Sequence, residues 1–235
     1  MVRMLTIIAL MGLSACGGGV NVVSGGGTPD LSSAPGETAL VNYLRGAHQY
    51  TLNATDSSGN SYTIQFSNQP NAATTTFGGA APAYSTTATL TLEQNQVVIE
   101  STISTSYYLL NPYVPLGKTF STGTPYGVVT STTPFPTTLA VGSTGTVNSL
   151  TYYHDSTMAV MDGNETTTYS VDAYDSSTLR LCFDFVLSDV TLVGGGDGLV
   201  PGTDETDCYS VDAAGNAALV SIAIMVSSGN TLTFM

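Results

Sequence analysis

The sequence predicts an all-β protein, an antiparallel meander curled into sandwich or barrel-like sheets, with one short N-terminal helix. Three observations carry this. Beyond residue 46 the apolar residues recur with a period of two rather than 3.6. Gly, Asn, Asp and Ser clusters interrupt these runs at short intervals, as turns do. Charged residues make up only 9% of the chain, while Ser, Thr, Asn and Gly abound, so the solvent face must be built from hydroxyls and amides.

In chain order, Met1 to Ala15 has the three parts of a secretory signal: basic Arg3, an apolar run from Met4 to about Met11, and the small residues Gly12, Ser14 and Ala15. The apolar run is far short of the roughly 20 residues that cross a bilayer as a helix. It ends in Leu13-Ser14-Ala15-Cys16, which resembles the lipobox of bacterial lipoproteins, the site cut by the lipoprotein signal peptidase. The resemblance implies a diacylglycerol on the Cys16 sulfur and an acyl chain, palmitate or similar, on its amine. Two or more chains, at about 0.8 kcal/mol per buried CH2, make a lasting anchor. Gly17, in place of the aspartate that retains Gram-negative family members in the inner membrane, implies the outer membrane. The expected location is therefore the cell envelope, on the periplasmic or surface face. Residues 16–36 (CGGGVNVVSGGGTPDLSSAPG) lack periodicity and read as a tether with an r.m.s. span of about 25 Å.

Glu37 to Arg45 reads as the helix, with Pro35 and Gly36 before it, an acid in its first turn and Gly46 to close it. At under three turns it must dock on the sheet to be stable. Next comes a recurring hairpin pattern: Tyr50-Thr-Leu-Asn-Ala54, Tyr169-Ser-Val-Asp-Ala173 and Tyr209-Ser-Val-Asp-Ala213. Each runs into turn residues (DSSGN at 56–60, DSS at 175–177, GN at 215–216) and then into an apolar strand, Ser61–Ser67, Thr178–Ser188 or Ala218–Val226. Further strands are expected at Thr87–Glu93, Val97–Ile103, Tyr107–Leu110, Thr146–Tyr153, Met158–Met161 and Thr231–Phe234. Asp162-Gly163 reads as a tight hairpin turn. The prolines from Pro112 to Pro136 are expected to break the ladder. A soft boundary near Thr133 divides residues 37–133 from an acidic C-terminal region, 134–235. Tryptophan is absent, so tyrosine, phenylalanine and aliphatics must fill the core.

The net charge is −13, and loss of Arg3 on maturation leaves only Arg45, Lys118 and Arg180 as basic side chains. Nucleic-acid binding is excluded on that balance. The acidity is uneven: residues 16–150 hold five carboxylates and residues 151–235 hold twelve. Their simplest reading is solvated turns and loops.

With Cys16 acylated, Cys182 and Cys208 remain, and an exported compartment favours pairing them. Alternation points Leu179, Leu181, Phe183, Phe185 and Leu187 inward, which leaves Cys182 on the other face. Tyr209 and Val211 point inward by the same rule, so Cys208 joins Cys182 on the outer face, as a cross-strand disulfide requires. Closing 25 intervening residues contributes up to about 3.5 kcal/mol in the chain-entropy account.

Chemistry is sparse. His48 and His154 are the only histidines, and His154-Asp155 are neighbours that a strand would point to opposite faces. No Gly-x-Ser-x-Gly, His-Glu-x-x-His or phosphate-binding glycine loop occurs. Asp172 with Asp175 could serve glycoside chemistry, with Tyr107-Tyr108 or Tyr152-Tyr153 as sugar platforms, but the spacing is not diagnostic. The loop from Gly194 to Asp207 reads first as an acidic surface loop pinned by Cys208. Its Asp197, Asp204, Glu205 and Asp207 also supply the hard oxygen donors that calcium takes. No other cofactor is implied.

The expected function is thus a lipid-anchored envelope protein acting as a non-catalytic structural or interaction module, with the membrane as partner through Cys16. Two alternatives stand beside it: a carrier holding an apolar ligand in the sheet's concavity, and an envelope hydrolase. The body is also similar to β-rich lipoproteins of Gram-negative bacteria without assigned activity. That similarity rests on Val-Gly-Ser-Thr-Gly at 141–145, Cys208-Tyr-Ser-Val-Asp-Ala-Ala-Gly and the Thr-Leu-Thr-Phe ending. It brings no catalytic residues with it.

Overall fold

A computed structural model describes residues 31–202, 204–227 and 230–235. Cys16, the signal segment and most of the expected tether lie outside these residues. The tether's last part is not free chain: strand β1 (Ser33–Pro35) pairs with β9 (Thr138–Ala140), and Leu31 packs against the core. Helix α1 (Gly36–Arg45) follows directly. Its first N–H groups, which have no intrahelical acceptor, donate to the Thr137 and Pro136 carbonyls at 2.9 and 3.0 Å. Gly36 is needed there, because a Cβ would stand 2.2 Å from the Pro136 oxygen.

Twelve antiparallel strands then form one ladder. In chain order they are β2 (His48–Thr55), β3 (Ser61–Pro70), β5 (Ala80–Gln94), β6 (Val97–Leu110), β7 (Tyr113–Phe120) and β8 (Tyr126–Thr132), then β10 (Thr144–Tyr153), β11 (Met161–Ala173), β12 (Thr178–Ser188), β13 (Asp204–Asp212), β14 (Ala217–Ser227) and β15 (Asn230–Phe234). The short β4 (Thr75–Phe77) pairs with β5. Within this ladder each strand pairs with the next of the twelve in chain order. The ends of the ladder meet where Asn53 and Met235 exchange both backbone hydrogen bonds, at 3.0 and 3.1 Å. The sheet is therefore a nearly closed barrel, which resolves the expected choice between sandwich and barrel and leaves few unpaired edge groups.

Inward residues follow strict alternation: Leu52, Ile64, Phe66, Leu90 and Leu92 on one side of the ring, and Leu179, Leu181, Phe183, Phe185, Val211, Ile222 and Phe234 on the other, all buried in one cluster. The outer face carries Thr51, Asn53, Thr63, Gln65, Thr89, Thr91, Ser101, Thr166 and Thr168, exposed or half-buried. These pair across strands, as in Thr63–Asn53 at 3.0 Å and Thr87–Thr105 at 3.1 Å. Helix α1 covers part of one mouth. Ala39 and Tyr43 enter the main core, Leu44 packs on Tyr108 and Leu110 of β6, and the Glu37 carboxylate accepts the Tyr113 N–H of β7 at 2.7 Å.

Two turns share one device. In Asp56-x-x-Gly-Asn60 and Asp212-x-x-Gly-Asn216 the aspartate accepts the Asn backbone N–H and side-chain NH2. The intervening glycines hold φ of +85° and +79°, which only glycine adopts without strain.

The structure corrects four expectations. Asp162-Gly163 is no turn but lies within β11, at a bulge where Tyr152 and Tyr153 pair with Gly163 and Met161. Residues 158–160, expected as strand, belong to the connection ahead of it. The proline-rich middle does not break the ladder, since Pro115 of β7 sits at a bulge opposite Tyr108, where a missing N–H is tolerated. The boundary near Thr133 falls inside the barrel, because Thr132 of β8 pairs with Asn148 of β10.

Cys182 and Cys208 face each other directly on β12 and β13 with Cα atoms 4.1 Å apart, and they form the disulfide. Replacing both by serine should lower unfolding free energy by up to about 3.5 kcal/mol, read by urea denaturation. An unchanged midpoint would show that the bridge adds no constraint beyond the ladder.

Candidate functional site

Two groups of ionisable side chains stand out, one inside the barrel and one at its rim. Inside, Lys118 of β7 and Glu165 of β11 form a buried ion pair, with Nζ 3.1 and 3.2 Å from the two carboxylate oxygens. The Tyr152 hydroxyl donates to the same carboxylate at 2.8 Å, and Nζ lies 5.1 Å from the Tyr152 ring centre. Burial drives the Lys118 ammonium down to about 8 while Glu165 opposes the shift. A small cavity of about 40 Å³ borders this pair, with Tyr108, Asn148 and Thr167 in its wall. That is water-sized space, well below the several hundred Å³ of a typical ligand pocket.

Glu205 and Asp207 on β13 also point inward, opposite Phe185 and Phe183. Burial raises the Glu205 carboxyl well above its usual range, with Asp207 adding and Lys118 opposing. Burial likewise raises Asp207, against a lowering hydrogen bond from Tyr209, and its Oδ1 has no hydrogen-bond partner. Tyr43 of α1 packs edge-on to Tyr209 at 4.9 Å and stacks on His48 at 4.3 Å, so helix and barrel meet through aromatic rings above these acids.

The calcium ligand set expected from Asp197, Asp204, Glu205 and Asp207 is not assembled. Glu205 and Asp207 belong to a strand and are turned into the core, because they share the parity of Tyr209 and Val211. Asp197 is engaged elsewhere, and the side chain of Asp204 lies outside the described residues. Asp172, expected as a possible acid partner of Asp175, instead pairs with Arg180 at 3.1 Å, while Asp175 holds its own turn through Ser177 and Thr178.

At the rim, Asp197 sits at the end of α2 (Leu192–Gly196) and contacts His154, with 2.5 Å between Oδ2 and Nδ1. Asp162 completes the group, and one donor atom from each of the three lies within 4.8 Å of the others. The loop is fixed to the strand by backbone bonds. The Thr191 N–H donates to the Asp162 carbonyl at 2.8 Å, and the Thr191 hydroxyl donates to the Met161 carbonyl at 3.0 Å. Gly194 passes so close that a Cβ would stand 2.1 Å from the Asp162 oxygen. The Asp162 side chain is fully buried with no hydrogen-bond partner for either oxygen. Burial first, and Asp197 second, raise its carboxyl to about 6. The hydrogen bond from His154 to Asp197, with its charge, raises the imidazole above its usual value.

The sequence points His154 and its neighbour Asp155 to opposite faces, which assigns His154 no partner, and it reads Asp162 as a turn residue. The true partner of His154 is 43 residues away, and no local spacing announces it. Comparison with protein-family models, curated proteins and solved structures found no match in any of the three.

Two outcomes are expected. Lys118→Met should destabilise by about 3–5 kcal/mol, since Glu165 would be left buried without its cation, and adding Glu165→Gln should recover most of that loss. Denaturant titration of the single and double variants tests it. Second, burial raises the Glu205 and Asp207 carboxyls in the folded state above their unfolded values of about 4. Their contribution is complete below that value and is lost as pH rises toward the folded pKa values; the raised His154 acts in the same direction. Thermal stability should therefore fall from pH 5 to pH 8. Glu205→Gln with Asp207→Asn should flatten that slope and raise the melting temperature at pH 8.

Proposed function

We propose that this chain is a lipid-anchored cell-envelope protein whose barrel serves as a non-catalytic structural or interaction module. The observation that carries this is the inside-out polarity of the barrel relative to a membrane-spanning one. Its outer face is dominated by threonine, serine and asparagine, with Val97, Val98, Ile99, Ile103 and Val186 exposed among them, and its interior is mainly apolar around the buried Lys118–Glu165 pair and the inward Glu205 and Asp207. A spanning barrel presents an apolar band outward. Attachment to a membrane then falls to the acylated Cys16 and the chain that follows it.

Among the described residues, the cavity bordering Lys118 is water-sized, which favours this reading over a carrier. The rim adds a surface suited to contact. Met158, Val160, Met161, Leu192 and Val193 are all exposed, and the Thr191–Met161 bond joins the two segments that bear them.

Expression in a Gram-negative host followed by detergent phase separation tests the anchor. The wild-type chain should enter the detergent phase with its mature mass beginning at an acylated Cys16. Cys16→Ser should move it to the aqueous phase. Recovery of the wild type in buffer without detergent, or a different mature N-terminus, would overturn the proposal.

A further inference from the structure

We propose that His154, Asp162 and Asp197 form a three-ligand site for a divalent transition cation of the zinc class. The first ground is chemical. One imidazole nitrogen and two carboxylates match the mixed donor sets zinc takes, at bonds of about 2.0–2.2 Å. Calcium takes six to eight oxygens, and magnesium keeps an oxygen octahedron. The second ground is geometric. Tetrahedral ligands at those bond lengths lie about 3.4 Å apart. The cluster brackets that value, from 2.5 Å between His154 Nδ1 and Asp197 Oδ2 to at most 4.8 Å overall.

The third ground is independent of both. Asp162 is fully buried and no N–H or hydroxyl donor reaches either oxygen; the polar group beside it is a second carboxylate, Asp197. A buried acid left so is costly unless something binds it. The backbone spends two unusual features to keep it there: a bulge in β11, and a glycine at 194 that lets the loop lie against the Asp162 carbonyl. A divalent ion supplies the missing partner and neutralises two carboxylates beside one neutral imidazole. With three protein ligands and His154 nearly half exposed, a fourth position faces solvent and takes water or a donor from outside the chain. Bound metal ties the 189–197 loop to the start of β11.

Titration calorimetry with zinc chloride on the chelator-treated full-length chain, purified in detergent without a histidine tag, tests this site separately from the anchor. One equivalent should bind, and a hundredfold excess over Kd should raise the melting temperature by roughly 5 °C or more, with calcium giving no such rise. His154→Ala, Asp162→Asn and Asp197→Asn should each weaken binding at least about tenfold, while His48→Ala should not. His154 is partly exposed, so its variant carries the test if Asp162→Asn does not fold. No saturable heat, binding that survives His154→Ala, or an equal response to calcium would overturn the proposal.

Discussion

A long antiparallel ladder has two faces and one interior, so closing it decides the environment of every side chain by parity. The paired hydrogen bonds between Asn53 and Met235 are where that decision is completed. With the ring joined, alternate residues are enclosed and the rest face solvent, and no strand retains a free flank along the joined pair. Hydroxyls on the outer face hydrogen-bond across strands and remain open to solvent, so few charges suffice. The enclosed face is filled by leucine, phenylalanine and tyrosine, with α1 and the β1–β9 ladder packed at one end. The disulfide lies outside this core, spanning two strands that the ladder already joins.

Enclosure also explains the unusual electrostatics. Part of the acid excess of the C-terminal region lies inside the protein. Glu165, Glu205, Asp207 and Asp162 are all buried. In a low-dielectric interior each must be paired, protonated or bound. Glu165 is paired, by Lys118 and Tyr152. Glu205 and Asp207 are shifted toward their protonated forms. Asp162 is set apart by the β11 bulge, which takes it out of the regular ladder and turns it toward the loop that carries Asp197. One constraint thus yields three different solutions for carboxylates of the same composition.

Much of the barrel was legible in the sequence because period-two alternation is a local property. Thr178–Ser188 has the bounds the pattern implies, and the outward cysteines follow from the inward Tyr209 and Leu181. The same parity would have turned Glu205 and Asp207 inward, but composition argued for a surface loop, and burial won because a strand cannot turn one residue without its neighbours. Asp162-Gly163 misled for a related reason: its turn preference is real, but the β-bulge absorbs it within a continuing strand. Closure, the Lys118–Glu165 pair and the His154–Asp197 contact join residues far apart in sequence, so no local pattern could show them. The Asp-x-x-Gly-Asn turns were visible as glycine-asparagine signals, while the role of their aspartates needed the coordinates.

Amide hydrogen exchange along the ring is the most direct measurement of closure. Closure makes β2 and β15 interior strands, so the amides of Asn53 and Met235 should exchange nearly as slowly as those of β11 to β13. Fast exchange at those two positions, with protection confined to the middle of the ladder, would show an open sheet with two edges and contradict the barrel.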